Sequence, residues 1–182
     1  MPGLLSLMRA DTRGMVIDRG RGRVLYGFSV VAKLLLYPRL QAVLLFRISH
    51  ALYQRRLTPF AYYLQAVILR LSGAELHPAA QIGPGFCLVH SSGVVIGDRA
   101  RIGRHFVCLH GVTVGENGRD AAQPVIGDWV RASAGCKILG GIMVGDHAVI
   151  GANSVVLSDI PAGGVAVGSP ARVVKIQDWT QN

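Results

Sequence analysis

Residues 95 to 115 read V-I-G-D-R-A-R-I-G-R-H-F-V-C-L-H-G-V-T-V-G. Apolar residues recur six apart at Ile96, Ile102, Cys108 and Val114, and Gly follows directly at positions 97, 103 and 115. A period of six is neither the 3.6 of a helix face nor the two of an ordinary strand. It is the period of a hexapeptide β-helix, in which each short strand turns one apolar side chain inward and then rounds a corner. Three hexads close one triangular coil, and Gly or Asn suits the corner because each tolerates backbone angles that other residues resist.

The register extends in both directions. It includes Leu76, Ile82 and Leu88 upstream, then Ile126, Ala132, Ile138, Val144, Ile150 and Val156 downstream. Two places depart from it. Between Leu88 and Ile96 there are two residues more than a hexad, and residues 115 to 125, with Asn117 and Gly118, form a loop extruded from the prism. Because His110 stands two after Cys108 as His90 stands two after Leu88, these histidines fall side by side on adjacent coils, about 4.8 Å apart. The chain therefore divides into a basic arm with an α-helical N-terminal region (1–75), a β-helix domain (76–175) and a short tail (176–182).

Before the prism the pattern is helical. Leu40, Val43, Leu44, Ile48, Ala51 and Leu52 lie at helical spacing within a run from Val30 to Arg56 that Pro38 opens or kinks. Thr58-Pro59 is a start signal and Gly73 a stop, which brackets a second helix over 59–72. Residues 1 to 23, rich in Arg and Gly, are expected to form a loose or partly ordered arm.

Charge separates the same halves. Residues 1 to 75 hold 11 Lys+Arg against 3 Asp+Glu, whereas residues 76 to 182 hold 8 against 7, so no basic footprint for nucleic acid runs along the prism. With 51% hydrophobic and 16% charged residues, disorder is excluded. Lys33, Arg39 and Arg47 interrupt the apolar N-terminal stretch too often for a membrane span. Cys87, Cys108 and Cys136 form neither a disulfide framework nor a zinc motif, which favours a reduced, cytoplasmic setting and core roles. The basic helices suit peripheral contact with the inner face of a membrane.

Six stretches carry a family resemblance: E-L-H-P-A-A-Q-I-G-P-G-F (75–86), V-H-S-S-G-V-V-I-G-D (89–98), G-V-T-V-G (111–115), K-I-L-G (137–140), I-G-A-N-S-V-V-L (150–157) and G-S-P-A-R-V-V (168–174). Together they resemble the serine acetyltransferase family, over residues 38 to about 175. The resemblance implies a left-handed β-helix, acetyl-CoA as co-substrate with no metal, and acetyl transfer to a hydroxyl. It also implies His90 as general base, with Glu75 at the position of the carboxylate that orients it. An imidazole suits the role because its pKa lies near neutrality. His110 is a further catalytic candidate. Ala134 and Ala152, one coil apart, match positions lining the pantetheine groove, and Arg172 and Lys175 match those that meet the phosphates.

The acceptor site departs from the family. Val89 stands where the family has Asp before the catalytic His, and Gln123 stands where it has the His of Arg-His-Pro. Without those partners for an ammonium and a carboxylate, the acceptor is expected to be a sugar or polysaccharide-precursor hydroxyl, as in polysaccharide-pathway relatives. The alternatives are L-serine O-acetylation in cysteine synthesis, with the clamp rebuilt from elsewhere, and a non-catalytic membrane-surface scaffold. Sites between chains imply a homotrimer, or a dimer of trimers through the helices.

Overall fold

A computed structural model describes residues 3–16, 36–119 and 121–178. From Glu75 onward the chain winds as a left-handed parallel β-helix of about five coils. Its first face stacks Glu75–Leu76, Val95–Ile96, Thr113–Gly115, Lys137–Leu139 and Val155–Val156. The second stacks Gln81–Ile82, Arg101–Ile102, Val125–Ile126 and Met143–Val144. The third stacks Cys87–Leu88, Val107–Cys108, Arg131–Ala132, Val149–Ile150 and Gly164–Gly168, and Ala171–Ile176 closes it as an antiparallel strand.

Every hexad position from Leu76 to Val156 is buried, Ile82 being the most exposed at 7%. A second inward column was not expected. It lies two residues before each hexad position and includes Phe86, Val94, Phe106, Val112, Val130, Cys136 and Ile142, all buried. The rings of Phe86 and Phe106 stack across adjacent coils with centroids 6.1 Å apart. Each hexad thus fills the prism with two side chains, which is why small residues such as Ala100 and Ala148 are tolerated among them.

The corners use two solutions. Between the third and first faces stand Gly93, Gly111, Gly135 and Asn153, all at positive φ, as the sequence predicts. Between the second and third faces Gly85 and Gly163 hold the left-handed position in the end coils, and His105, Trp129 and His147 hold it in those between. Bulky residues are disfavoured there. The three rings compensate by stacking in a file, Trp129 at 3.8 Å from His105 and 6.3 Å from His147 between centroids.

Three described helices cover the open first coil: α1 (Leu4–Val16), α2 (Pro38–Gln54) and α3 (Thr58–Ser72). Pro38 begins α2 rather than kinking it, and Gly73 closes α3 in the left-handed conformation at φ 68°. Leu57, not Thr58, occupies the cap position of α3. Residues 17–35, including the start of the predicted Val30 run and several of the charges assigned to membrane contact, lie outside the described residues, as do residues 179–182 of the tail. No described helix is long and apolar enough to cross a membrane.

Within the N-terminal arm residues 4 to 16 are helical, and one residue explains their order. Asp11, fully buried, accepts from Arg47 Nε at 2.7 Å and from Arg47 Nη2 at 3.1 Å. Its Oδ1 also accepts the backbone N–H groups of Gly85 and Phe86 at 2.8 and 2.9 Å. Arg47, 2% exposed, donates in turn to the carbonyls of Ile82 and Gly83. Helices α1 and α2 are therefore pinned to the first coil by one buried ion pair whose remaining hydrogen-bonding capacity is spent on prism backbone.

Candidate active site

Two residues after successive third-face strands the chain reaches the same corner, at His90, His110, Ala134 and Ala152. Inter-coil hydrogen bonds hold the file in register: Gly135 N donates to His110 O at 2.8 Å and Asn153 N to Ala134 O at 2.9 Å. Gly111 is needed beside His110, because its φ is +66° and a Cβ there would press to 3.4 Å from Gly135 Cα. Three coil steps of about 4.8 Å give a strip of about 14 Å from His90 to Ala152. The closing hairpin lies above it on the third face, with Arg172 opposite Val167 near this corner and Lys175 opposite Val165 farther back across the face, both basic side chains exposed.

At the head of this strip His90 and His110 are both exposed, their ring centroids 6.0 Å apart and their planes tilted by 69°. They meet edge to face rather than stacking flat. The two extra residues after Leu88 are taken up between Val89, whose N–H donates to Cys108 O, and Ser92, whose carbonyl accepts Gly111 N at 2.8 Å, so the register resumes with Ser92 beside His110. Two side chains hold carbonyls here: Arg39 Nη1 of α2 donates to the Val89 carbonyl, and Lys137 Nζ of the first face donates to the Gly111 carbonyl. Among the described residues no backbone N–H donates to either oxygen.

The structure places the other candidates away from this corner. Glu75 is exposed on the flat of the first face, where Gln65 Nε2 donates to it at 3.5 Å. Among the described residues no hydrogen bond joins Glu75 to His90, because one side chain leaves a face and the other a corner. Glu75 lines a separate cleft of about 370 Å³ with His77, Asp98, Glu116 and Gln123. There His77 Nδ1 accepts from Ala79 N at 3.1 Å, which leaves Nε2 to donate toward Tyr62 Oη at 3.3 Å. Gln123 is held at both ends of its amide, Oε1 accepting from Arg99 N at 3.2 Å and Nε2 donating to Asp98 Oδ1 at 2.7 Å. It ties the returning 115–125 loop to the coil. Val89 adds no polar side chain, and its N–H donates to Cys108 O at 2.9 Å.

The three thiols offer no nucleophile. Burial pushes Cys136 up to about 12 and raises Cys108 as well, while Cys87 is raised by burial against a smaller opposing pull from Arg39. Thiols so perturbed stay protonated at neutral pH. Arg39 and Lys137 were not singled out from sequence. Arg39 lies 50 residues from the carbonyl it holds, and only the docking of α2 brings the two together.

Comparisons with known proteins bear on the family and the fold. The serine acetyltransferase of Helicobacter pylori (strain ATCC 700392 / 26695) is 46% identical over 143 residues, which is 78% of this chain and 84% of the relative. The chain belongs to the serine acetyltransferase family. Soybean serine acetyltransferase, solved in complex with serine, is similar to this chain with a TM-score of 0.84 and 39% identity, over 96% of this chain and 70% of the soybean chain. The serine acetyltransferase of Brucella abortus strain S19, solved with coenzyme A, gives a TM-score of 0.83 and 35% identity over 94% of this chain and 68% of that one. No family model matches the chain.

Proposed function

We propose that this chain is an acetyl-CoA-dependent O-acetyltransferase whose acceptor is the hydroxyl of L-serine, in the manner of the cysteine-biosynthetic enzymes, with His90 as general base. The observation that carries the reading is the single file of His90, His110, Ala134 and Ala152. It sets an exposed imidazole at one end of a strip of small residues and the basic Arg172, with Lys175 farther back, at the other. Small side chains let an extended thioester arm lie against backbone groups, and the basic end suits phosphates. His90 takes the hydroxyl proton as the acceptor oxygen bonds to the acyl carbon. The carbon–sulfur bond then breaks, and the proton passes to the departing thiolate. His110 is placed to hydrogen-bond or orient the acceptor beside the base.

The expected sugar acceptor finds no support among the relatives named above, and the serine alternative takes its place. Glu75 keeps a secondary role as a wall of the neighbouring cleft, since the single chain does not bring it to His90. The strip is open on one side, and Phe60, Tyr63 and Leu71 lie exposed on α3. Both features favour a homotrimer with sites between chains, paired through the helices. Light scattering on the purified protein tests that assembly.

Release of CoA thiol by the purified protein, with L-serine compared against sugars and nucleotide sugars, tests the acceptor. Turnover with serine is the expected result, and turnover with a sugar alone would reject the reading. His90→Ala is expected to lose about 10²–10⁴-fold in kcat, whereas Glu75→Gln loses less. Retention of near-normal transfer by His90→Ala would reject the mechanism.

A further inference from the structure

We propose that Arg39 is a specificity-determining residue of the acceptor site, receiving the acceptor's carboxylate beside His90. This deepens the serine reading above and rests on it. The inference begins from a gap: neither Val89 nor the doubly bonded Gln123 offers a cation, yet an amino-acid acceptor presents a carboxylate a few bonds from its hydroxyl. Arg39 supplies the missing charge from another element.

Its guanidinium is anchored on the Val89 carbonyl, one residue from the base, and consecutive Cα atoms are only about 3.8 Å apart. That bond uses one of five guanidinium donors, and the fork geometry of the group matches a carboxylate. The half-buried side chain is further steadied against Tyr37, whose ring centroid lies 5.3 Å from its Cζ. Lys137 holds the Gly111 carbonyl on the far side of the histidine pair. Among the described residues neither cation is paired with a carboxylate. The two imidazoles therefore sit between two positive charges, which favours an anionic acceptor over a neutral one.

The decisive comparison is L-serine against L-serinamide, which keeps the hydroxyl and lacks the carboxylate. We would measure kcat/KM for both, with calorimetric binding of each, in the wild type, Arg39→Gln and Arg39→Lys. Arg39→Gln removes the charge, and its shorter amide ends where Arg39 Nε stands, two bonds short of the atom that holds the Val89 carbonyl, so the ratio of the two acceptors rather than the absolute rate is the readout. The wild type is expected to prefer serine. Arg39→Gln should reduce that preference about 10- to 100-fold, the loss of one charge-assisted hydrogen bond. Arg39→Lys should retain part of the preference.

An unchanged serine-to-serinamide ratio in Arg39→Gln would overturn the inference while leaving the serine reading intact. An equal fall for both acceptors would assign Arg39 a structural role and overturn it too. If the wild type turned over neither compound, the serine reading itself would fall and this inference with it.

Discussion

The prism and its helical cap are held together by opposite means. In the prism the same contact is repeated: an aliphatic residue inward, a parallel neighbour above and below, and a corner. No single coil carries the fold, because each repeat adds a similar interface to the next. The cap meets the prism instead through particular polar contacts, Asp11 to Arg47 and to the backbone of Gly85 and Phe86, Arg47 to Ile82 and Gly83, and Arg39 to Val89. Repetition is redundant and tolerant; a buried ion pair is neither. The candidate corner of His90 and His110 lies where the two regimes meet, so a residue outside the repeat can reach it without disturbing the prism.

The largest expected effect comes from breaking the pin. Asp11→Ala leaves the Arg47 charge in a site where it is 2% exposed, and stranding a buried charge costs about 3–5 kcal/mol. Urea unfolding should then lose helical circular dichroism before the fluorescence of Trp129 changes, read in a Trp179→Phe background. Asp11→Leu combined with Arg47→Met should recover much of the loss, because removing both partners removes the desolvation penalty as well. Coincident unfolding of the two signals in Asp11→Ala would show that cap and prism are one cooperative unit and would erase the contrast drawn here.

The same contrast explains what was legible in the sequence. Leu76 through Val156 declared the prism because a six-residue period has no other economical source, and every one of those side chains is inside. Positions two residues earlier were equally buried yet escaped notice. Their residues are apolar but range in size from Ala100 to Phe106, and no Gly follows them to mark the period. Trp129 at a left-handed corner was unreadable for a related reason: the stacking that stabilises it belongs to His105 and His147, each a coil away. In the site, His90, His110, Ala134 and Ala152 could be aligned by counting, because they obey the repeat. Arg39 and Asp11 could not, since the docking of helices over tens of residues leaves no local pattern.

A moderate effect is expected inside the prism. Ile138, fully buried at mid-height, touches the coils above and below through Val114 and Val156 in the same register. Ile138→Val removes one methylene and should cost about 0.5–1.5 kcal/mol, lowering the urea midpoint with no change in slope. A change in slope would mean that the coils uncouple at that level, as a repeat array does when its cooperativity fails.

The smallest effect tests whether the prism, too, depends on polar pins. Asp128 accepts from the Arg104 backbone N–H at 2.7 Å and from Arg104 Nε and Nη2 at 2.9 and 2.7 Å, bridging adjacent coils at the surface. These bonds, the backbone one foremost, hold its carboxyl below the usual range. A depressed folded value means that the unfolded chain takes up the proton first. The contribution to stability is therefore complete above the unfolded value, about 3.9, and is lost as the pH falls through the lower folded value. The melting temperature of Asp128→Asn should accordingly lie slightly below that of the wild type at pH 7, and the two should converge as the pH is brought below about 4. Because Arg104 is solvent-exposed, added salt should narrow the gap at pH 7 as well. The buried Asp11–Arg47 contact should show no such salt response. If the surface pair proved as costly to lose as the buried one, the redundancy attributed to the coils would be wrong, and each coil would need its own pin as the cap does.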